Sequence, residues 1–139
     1  MRISVPFAVV LALVAPACSK NSATPAATTS PSVARTMETF TGSVQTGVSA
    51  FHAFTVSQTG QVDVTLTAAG PPSTIVIGVG VGLPAGSTCV PFAGASTTAA
   101  AGPTPQLSGT TSPGALCVDV HEVGSQTPSV TYTVTVTHP

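Results

Sequence analysis

The segment Thr131-Tyr132-Thr133-Val134-Thr135-Val136-Thr137 alternates hydroxyl-bearing and larger apolar side chains without a break. Successive side chains of a strand point to opposite faces, so this period of two places one face in a core and the other toward water. Val62-Asp63-Val64-Thr65-Leu66-Thr67 repeats the pattern. No segment shows a helical period. The strand candidates, these two included, are Glu38–Val44, Ala50–Ser57, Gln61–Ala68, Thr74–Val81, a short Thr88–Phe92, Leu116–Val123 and Val130–Thr137. Between them lie turn-forming clusters such as Gln58-Thr59-Gly60, Gly70-Pro71-Pro72-Ser73 and Ser112-Pro113-Gly114. About seven or eight short strands in this length specify an all-β, antiparallel β-sandwich, jelly-roll or immunoglobulin-like. Ala93–Pro105, rich in Ala, Thr and Gly, is expected to be a long mobile loop.

The N-terminus has a different character. After Arg2, an apolar run from Ile3 to Val14 leads to Ala15-Pro16-Ala17-Cys18. The run is shorter than the roughly 20 apolar residues that span a bilayer, and it has the organisation of a secretory leader. Ala15-Pro16-Ala17 suits ordinary signal peptidase. Val14-Ala15-Pro16-Ala17-Cys18 also resembles a bacterial lipobox, in which the cysteine thiol is acylated before cleavage. It departs from the commoner pattern at Ala15 and Pro16. The resemblance implies a lipid on Cys18. Ser19 in the next position is similar to the outer-membrane sorting pattern of Gram-negative lipoproteins.

Cysteine arithmetic bears on the choice. The chain has three cysteines, Cys18, Cys89 and Cys117. In an exported β domain Cys89 and Cys117 are expected to form a disulfide. Cys18 is then the odd thiol, and acylation accounts for it. Residues 18–36 form a Ser/Thr/Pro tract that cannot bury enough apolar area to fold. It would act as a tether of up to about 55 Å if polyproline-like and about half that as a coil. The expected organisation is therefore a leader over 1–17, a lipidated tether over 18–36 and a β-sandwich over 37–139.

Charge excludes several function classes. Past the leader the chain keeps Lys20 and Arg35 against Glu38, Asp63, Asp119 and Glu122. No basic patch exists to neutralise phosphates, so nucleic acid is excluded as a partner. Trp is absent and Tyr132 is the one tyrosine. Aromatic platforms for glycans or single strands are correspondingly scarce.

Residues 50–66, Ala-Phe-His-Ala-Phe-Thr-Val-Ser-Gln-Thr-Gly-Gln-Val-Asp-Val-Thr-Leu, resemble the Y-x-F-x-V … G-x-[VL]-x-[VI]-x-L hairpin of bacterial pre-peptidase C-terminal domains. Residues 112–120 followed by 132–136 are similar to that family's closing strand pair. The resemblance implies a jelly-roll or immunoglobulin-like accessory module, not a catalyst. The family's acidic D-x-D-x-x-[LI] strand is replaced by Ile75-Val76-Ile77-Gly78-Val79-Gly80-Val81-Gly82, so no calcium site is carried over.

Candidate sites are few. Cys117, Asp119 and His121 share one strand face by spacing, but zinc ligands come from several elements, and a disulfide with ordinary polar neighbours is the simpler reading. His52 lies on a face with Phe54 and Val56 and is expected to pack there; His138, near the chain end, is expected to be solvated. No G-x-S-x-G motif is present. Gly80-Val81-Gly82-Leu83-Pro84-Ala85 matches a dinucleotide string formally, but Pro84 and Gly86 deny it the helix that would hold phosphates. Gly78, Gly80 and Gly82 form a side-chain-free stripe where a backbone or bulky neighbour can approach closely, or, alternatively, a ligand groove. No metal or cofactor is expected. The expected function is a non-catalytic, lipid-anchored protein of the bacterial cell envelope with a structural, adhesive or accessory role. Its expected partners are the membrane, through Cys18, and an envelope protein or glycan. The alternatives are a soluble exported glycan- or protein-binding module or an accessory domain of a hydrolase system.

Overall fold

The computed structural model describes residues 32–124 and 128–139, and Cys18 and most of the expected tether lie outside them. Eight strands follow in order: β1 Thr36–Val44, β2 Ser49–Val56, β3 Gly60–Gly70, β4 Val76–Ala85, β5 Thr88–Ala100, β6 Leu107–Thr111, β7 Gly114–Glu122 and β8 Val130–His138. They form two four-stranded antiparallel sheets, ordered β1-β8-β3-β6 and β2-β7-β4-β5. The fold is the expected all-β sandwich.

The alternating segments supply the core. Val62, Val64 and Leu66 of β3 and Val130, Tyr132, Val134 and Val136 of β8 face Phe54, Val56, Ile77, Val79, Leu116, Val118 and Val120 of the opposite sheet, all of them buried. The β8 threonines occupy its other face. There Thr131 Oγ1 donates to the Gly70 carbonyl at 2.8 Å. β-Branched residues are favoured here because the core side fills and the outer side stays wettable without charge.

Two expectations are corrected. Most of Ala93–Pro105 is strand, not loop: β5 runs on through Ala100, only residues 101–106 link it onward, and Leu107–Thr111 forms β6. Small residues suffice because Thr97 and Ala99 pair with Val79 and Ile77 across the ladder, so their backbones are tied into the sheet. His138 is not solvated: it is only 4% exposed. β8 extends to pair His138 with Thr36, and its ring lies against Phe54 with centroids 5.3 Å apart. Its Nε2 is 2.9 Å from Glu38 Oε1.

One end of the sandwich gathers several segments. The β2–β3 turn, the β6–β7 turn, the β4–β5 hairpin tip, the start of β1 and the chain's last residue all lie there, as the registers Thr36↔His138, Val56↔Gly114 and Gly82↔Cys117 require. Ser57 N donates to the Pro139 carbonyl at 3.1 Å and closes this end. Arg35 enters β1 here, and one guanidinium nitrogen reaches Asp63 Oδ2 at 2.6 Å and the Thr137 carbonyl at 3.0 Å.

Candidate functional site

The outer face of the second sheet is where the sequence places most of its candidate residues. On β7, Cys117, Asp119 and His121 do share one face, opposite the buried Leu116, Val118 and Val120. Their roles diverge. Cys117 Sγ is joined to Cys89 at 2.01 Å, with the Cα atoms 5.7 Å apart. Asp119 Oδ2 instead lies 2.6 Å from His121 Nδ1. With its sulfur committed to the disulfide, Cys117 is withdrawn from any shared ligand set, and among the described residues no three His, Cys, Asp or Glu side chains cluster to hold a metal. A disulfide of this kind fits an oxidising, exported environment.

The disulfide depends on the glycine stripe beside it. Gly82 pairs with Cys117 on one side and with Pro91 on the other. Cys89 belongs to β5, which is separated from β7 by β4. Strands two apart in a flat sheet lie about 9–10 Å from each other, too far for a disulfide. β5 closes that distance by curling over Gly82. A Cβ at Gly82 would collide with the Val90 carbonyl group and with Pro91 Cα. The register between β4 and β5 breaks between Gly80 and Gly82, where Pro91 and Ser96 become successive partners and Phe92–Ala95 bulge out. The stripe therefore receives a backbone.

The other two glycines are also covered by the chain's own groups. A Cβ at Gly78 would sit inside the His121 imidazole. One at Gly80 would meet Ser96 Oγ at 2.9 Å and Pro91 Cγ at 3.0 Å. His121 thus lies flat on β4, fixed from behind by Asp119.

His52 packs, as its strand face implies. Its ring stacks on Phe40 with centroids 4.8 Å apart and planes 14° from parallel. His52 Nε2 and Tyr132 Oη share a hydrogen bond of 2.6 Å. Burial pushes the His52 pKa below its ordinary value. Burial, and secondarily the charge of Asp119, push the Tyr132 phenol up. Both groups are thereby held neutral, and their polar atoms satisfy each other between the sheets. Asp63 is different. Burial acts to raise its pKa, but hydrogen bonds from Ser108, Gln61 and Arg35, with the Arg35 charge, hold it below the ordinary carboxylate value.

A cleft opens between the two sheets beneath the β5 bulge. It encloses about 530 Å³ and is lined by Val62, Val81, Phe92, Leu107 and Leu116, with Ser and Thr hydroxyls of β6 along its rim. Its size lies in the range of small-ligand pockets.

Comparison with protein-family models, curated proteins and solved structures gives no match.

Three features of this region escape the sequence pattern. The cleft exists because β5 and β6 are the far edge strands of their sheets, which only the pairing order reveals. The His52–Tyr132 bond joins residues on opposite sheets. The i, i+2 spacing puts Asp119 and His121 on one strand face, as expected, but does not show where the pair sits. Its placement over Gly78 depends on the β4–β7 register.

Proposed function

We propose that this is an exported protein of the bacterial cell envelope, anchored by a lipid on Cys18, whose sandwich serves as a non-catalytic structural, adhesive or accessory module. The observation that carries the non-catalytic reading is the way its titratable side chains are used. His52 bonds Tyr132, His121 bonds Asp119, His138 bonds Glu38, and Asp63 is held by Arg35, Ser108 and Gln61. Each of these groups is spent on a partner within the fold: three of the four sets join different strands or segments, and the Asp119–His121 pair, within β7, holds the imidazole over Gly78 of β4. The Cys89–Cys117 disulfide supports export, and it leaves Cys18 as the thiol without a cysteine partner. The apolar leader and the lipobox-like Val14–Cys18 support the anchor. The resemblance of residues 50–66 to pre-peptidase C-terminal domains supports the accessory role.

Cell fractionation tests this reading. The wild-type protein should stay with the membranes through a high-salt wash and enter the detergent phase. Cys18→Ser should move it to the soluble fraction or leave it uncleaved. A wild-type protein found wholly in the soluble fraction would refute the anchor.

A further inference from the structure

From Val64 to Val118 the chain contains no Asp, Glu, Lys, Arg or His. This stretch builds most of β3, all of β4, β5 and β6, and the start of β7. Three of its four exposed large apolar side chains are gathered at one place; the fourth, Val76, lies at the other end of β4. Leu83, Val90 and Phe92 are 52%, 57% and 41% exposed. Leu83 faces Val90 across the β4–β5 ladder.

The geometry explains why they are uncovered. The ladder from β4 to β7 stops at Gly82↔Cys117, whereas the ladder from β4 to β5 runs on to Ala85↔Thr88. β7 itself runs on to Gly114 beside β2, so over Leu83–Ala85 the hairpin parts from β7 and stands free of the rest of its sheet. It closes through Gly86, whose φ of 64° is the left-handed conformation that a tight hairpin turn needs. Leu83 continues the core-facing side of β4, two residues beyond Val81, but unlike Ile77 and Val79 it is exposed. Phe92 and Val81 in turn line the apolar cleft. Patch and cleft form one continuous uncharged surface.

This tip lies at the end of the sandwich where Arg35 and Thr36 lead into β1. Cys18 precedes Arg35 by 17 residues, so the chain length alone keeps a bilayer that holds Cys18 within about 60 Å of that end. The charged groups at this end are paired: Arg35 with Asp63 at 2.6 Å, and Glu38 with His138 at 2.9 Å. Three half-exposed side chains are far less than the roughly 800 Å² per partner of a stable protein interface. They are enough for a shallow contact with lipid.

We propose that the β4–β5 hairpin tip, through Leu83, Val90 and Phe92, docks against the surface of the lipid bilayer to which the chain is tethered. The choice of a bilayer as occupant rests on the anchor reading above. Because the tip is uncharged, docking needs no anionic lipid and is insensitive to salt.

The test uses residues 18–139 with Cys18→Ser, which retains every described strand and carries no lipid. The chain contains no Trp, so Ser87→Trp places a single reporter in the hairpin turn and Val48→Trp places one in the turn between β1 and β2. With phosphatidylcholine vesicles, Ser87→Trp emission should shift to the blue and be quenched by brominated lipid, equally at low and high salt. Val48→Trp should not respond. Adding Leu83→Ser and Val90→Ser should weaken vesicle binding by about tenfold or more, since together they remove at least the roughly 1.4 kcal/mol of apolar burial that tenfold represents. An unchanged far-UV spectrum and thermal midpoint would show that this variant still folds. The proposal is overturned by no response at Ser87→Trp or by equal responses at both sites. Binding only to anionic vesicles and lost in salt would also overturn it. So would a lipid-independent dimer that buries Ser87→Trp, which would make a second copy the occupant. Since this protein has no acylated Cys18, a negative result leaves the anchor reading standing, and an unacylated native Cys18 leaves a positive result standing.

Discussion

Replacing Gly82 by Ala should destabilise the oxidised protein but not the protein that lacks the disulfide. The Cβ of Ala at this position would strike the Val90 carbonyl, a backbone group that cannot rotate away. Overpacking of this kind costs about 1–3 kcal/mol, against about 0.5–1 kcal/mol recovered because Ala loses less conformational freedom than Gly. The net cost in the oxidised protein should be about 1–2 kcal/mol. The Cys89–Cys117 bond ties β5 to β7 across β4, with the Val90 carbonyl lying over Gly82. With Cys89→Ala and Cys117→Ala, that part of β5 can lift, and Gly82→Ala should become neutral or slightly stabilising. The disulfide closes a loop with a sequence separation of 28. In the chain-entropy model its loss costs about 3.6 kcal/mol. For roughly one hundred ordered residues that lowers the thermal midpoint by about 15–20 °C. Urea unfolding of the four proteins, followed by far-UV circular dichroism, gives the coupling directly. A coupling of about 1 kcal/mol or more is expected. Additivity to within about 0.5 kcal/mol would show that the disulfide does not hold β5 across Gly82.

Three further outcomes are expected. Burial holds the His52 pKa below 6.5, so the folded state binds fewer protons than the unfolded state once the pH falls past that value. Stability should therefore be full above about pH 6.5 and decline below it until the folded pKa is reached. His52→Phe should flatten that decline in thermal midpoints measured from pH 7.5 to 5, while costing about 1–3 kcal/mol at neutral pH for the unpartnered Tyr132 hydroxyl. Gly78→Ala should expel the His121 ring from β4 at a cost of about 1–3 kcal/mol, seen as a large shift of the His121 ring proton resonances. Arg35→Ala should raise the Asp63 pKa in a carboxyl NMR titration and cost about 1 kcal/mol, since the pair is partly solvated. It should also narrow the acid range, because stability from Asp63 is present above its unfolded value of 3.8 and lost as pH falls through the lower folded value.

The strands that are legible in the sequence are those whose two faces differ strongly in chemistry. β8 sets Val and Tyr against Thr, and β3 sets Val and Leu against Asp and Thr, so a period of two stands out. β5 is not legible beyond Phe92. Its inward Thr97 and Ala99 and outward Ser96, Thr98 and Ala100 hardly differ in size or polarity, and its bulge breaks the alternation. β6 offers a single large apolar residue, Leu107. The disulfide follows from counting thiols in an exported chain, but its route over Gly82 needs the curl of β5. The glycine stripe is legible as a place of close approach. That an imidazole, a proline ring and a carbonyl fill it is a matter of register. His138 is misread from its position near the chain end because its burial comes from Glu38 and Phe54, distant in sequence.

Intact mass spectrometry of the protein extracted from its own cell envelope is the most direct measurement of where and how it is held. The expected species begins at Cys18, carries a diacylglyceryl adduct there, and has Cys89 and Cys117 oxidised together. A mature chain with a free, unmodified Cys18, or one cut elsewhere so that Cys18 is lost, would contradict the lipid anchor.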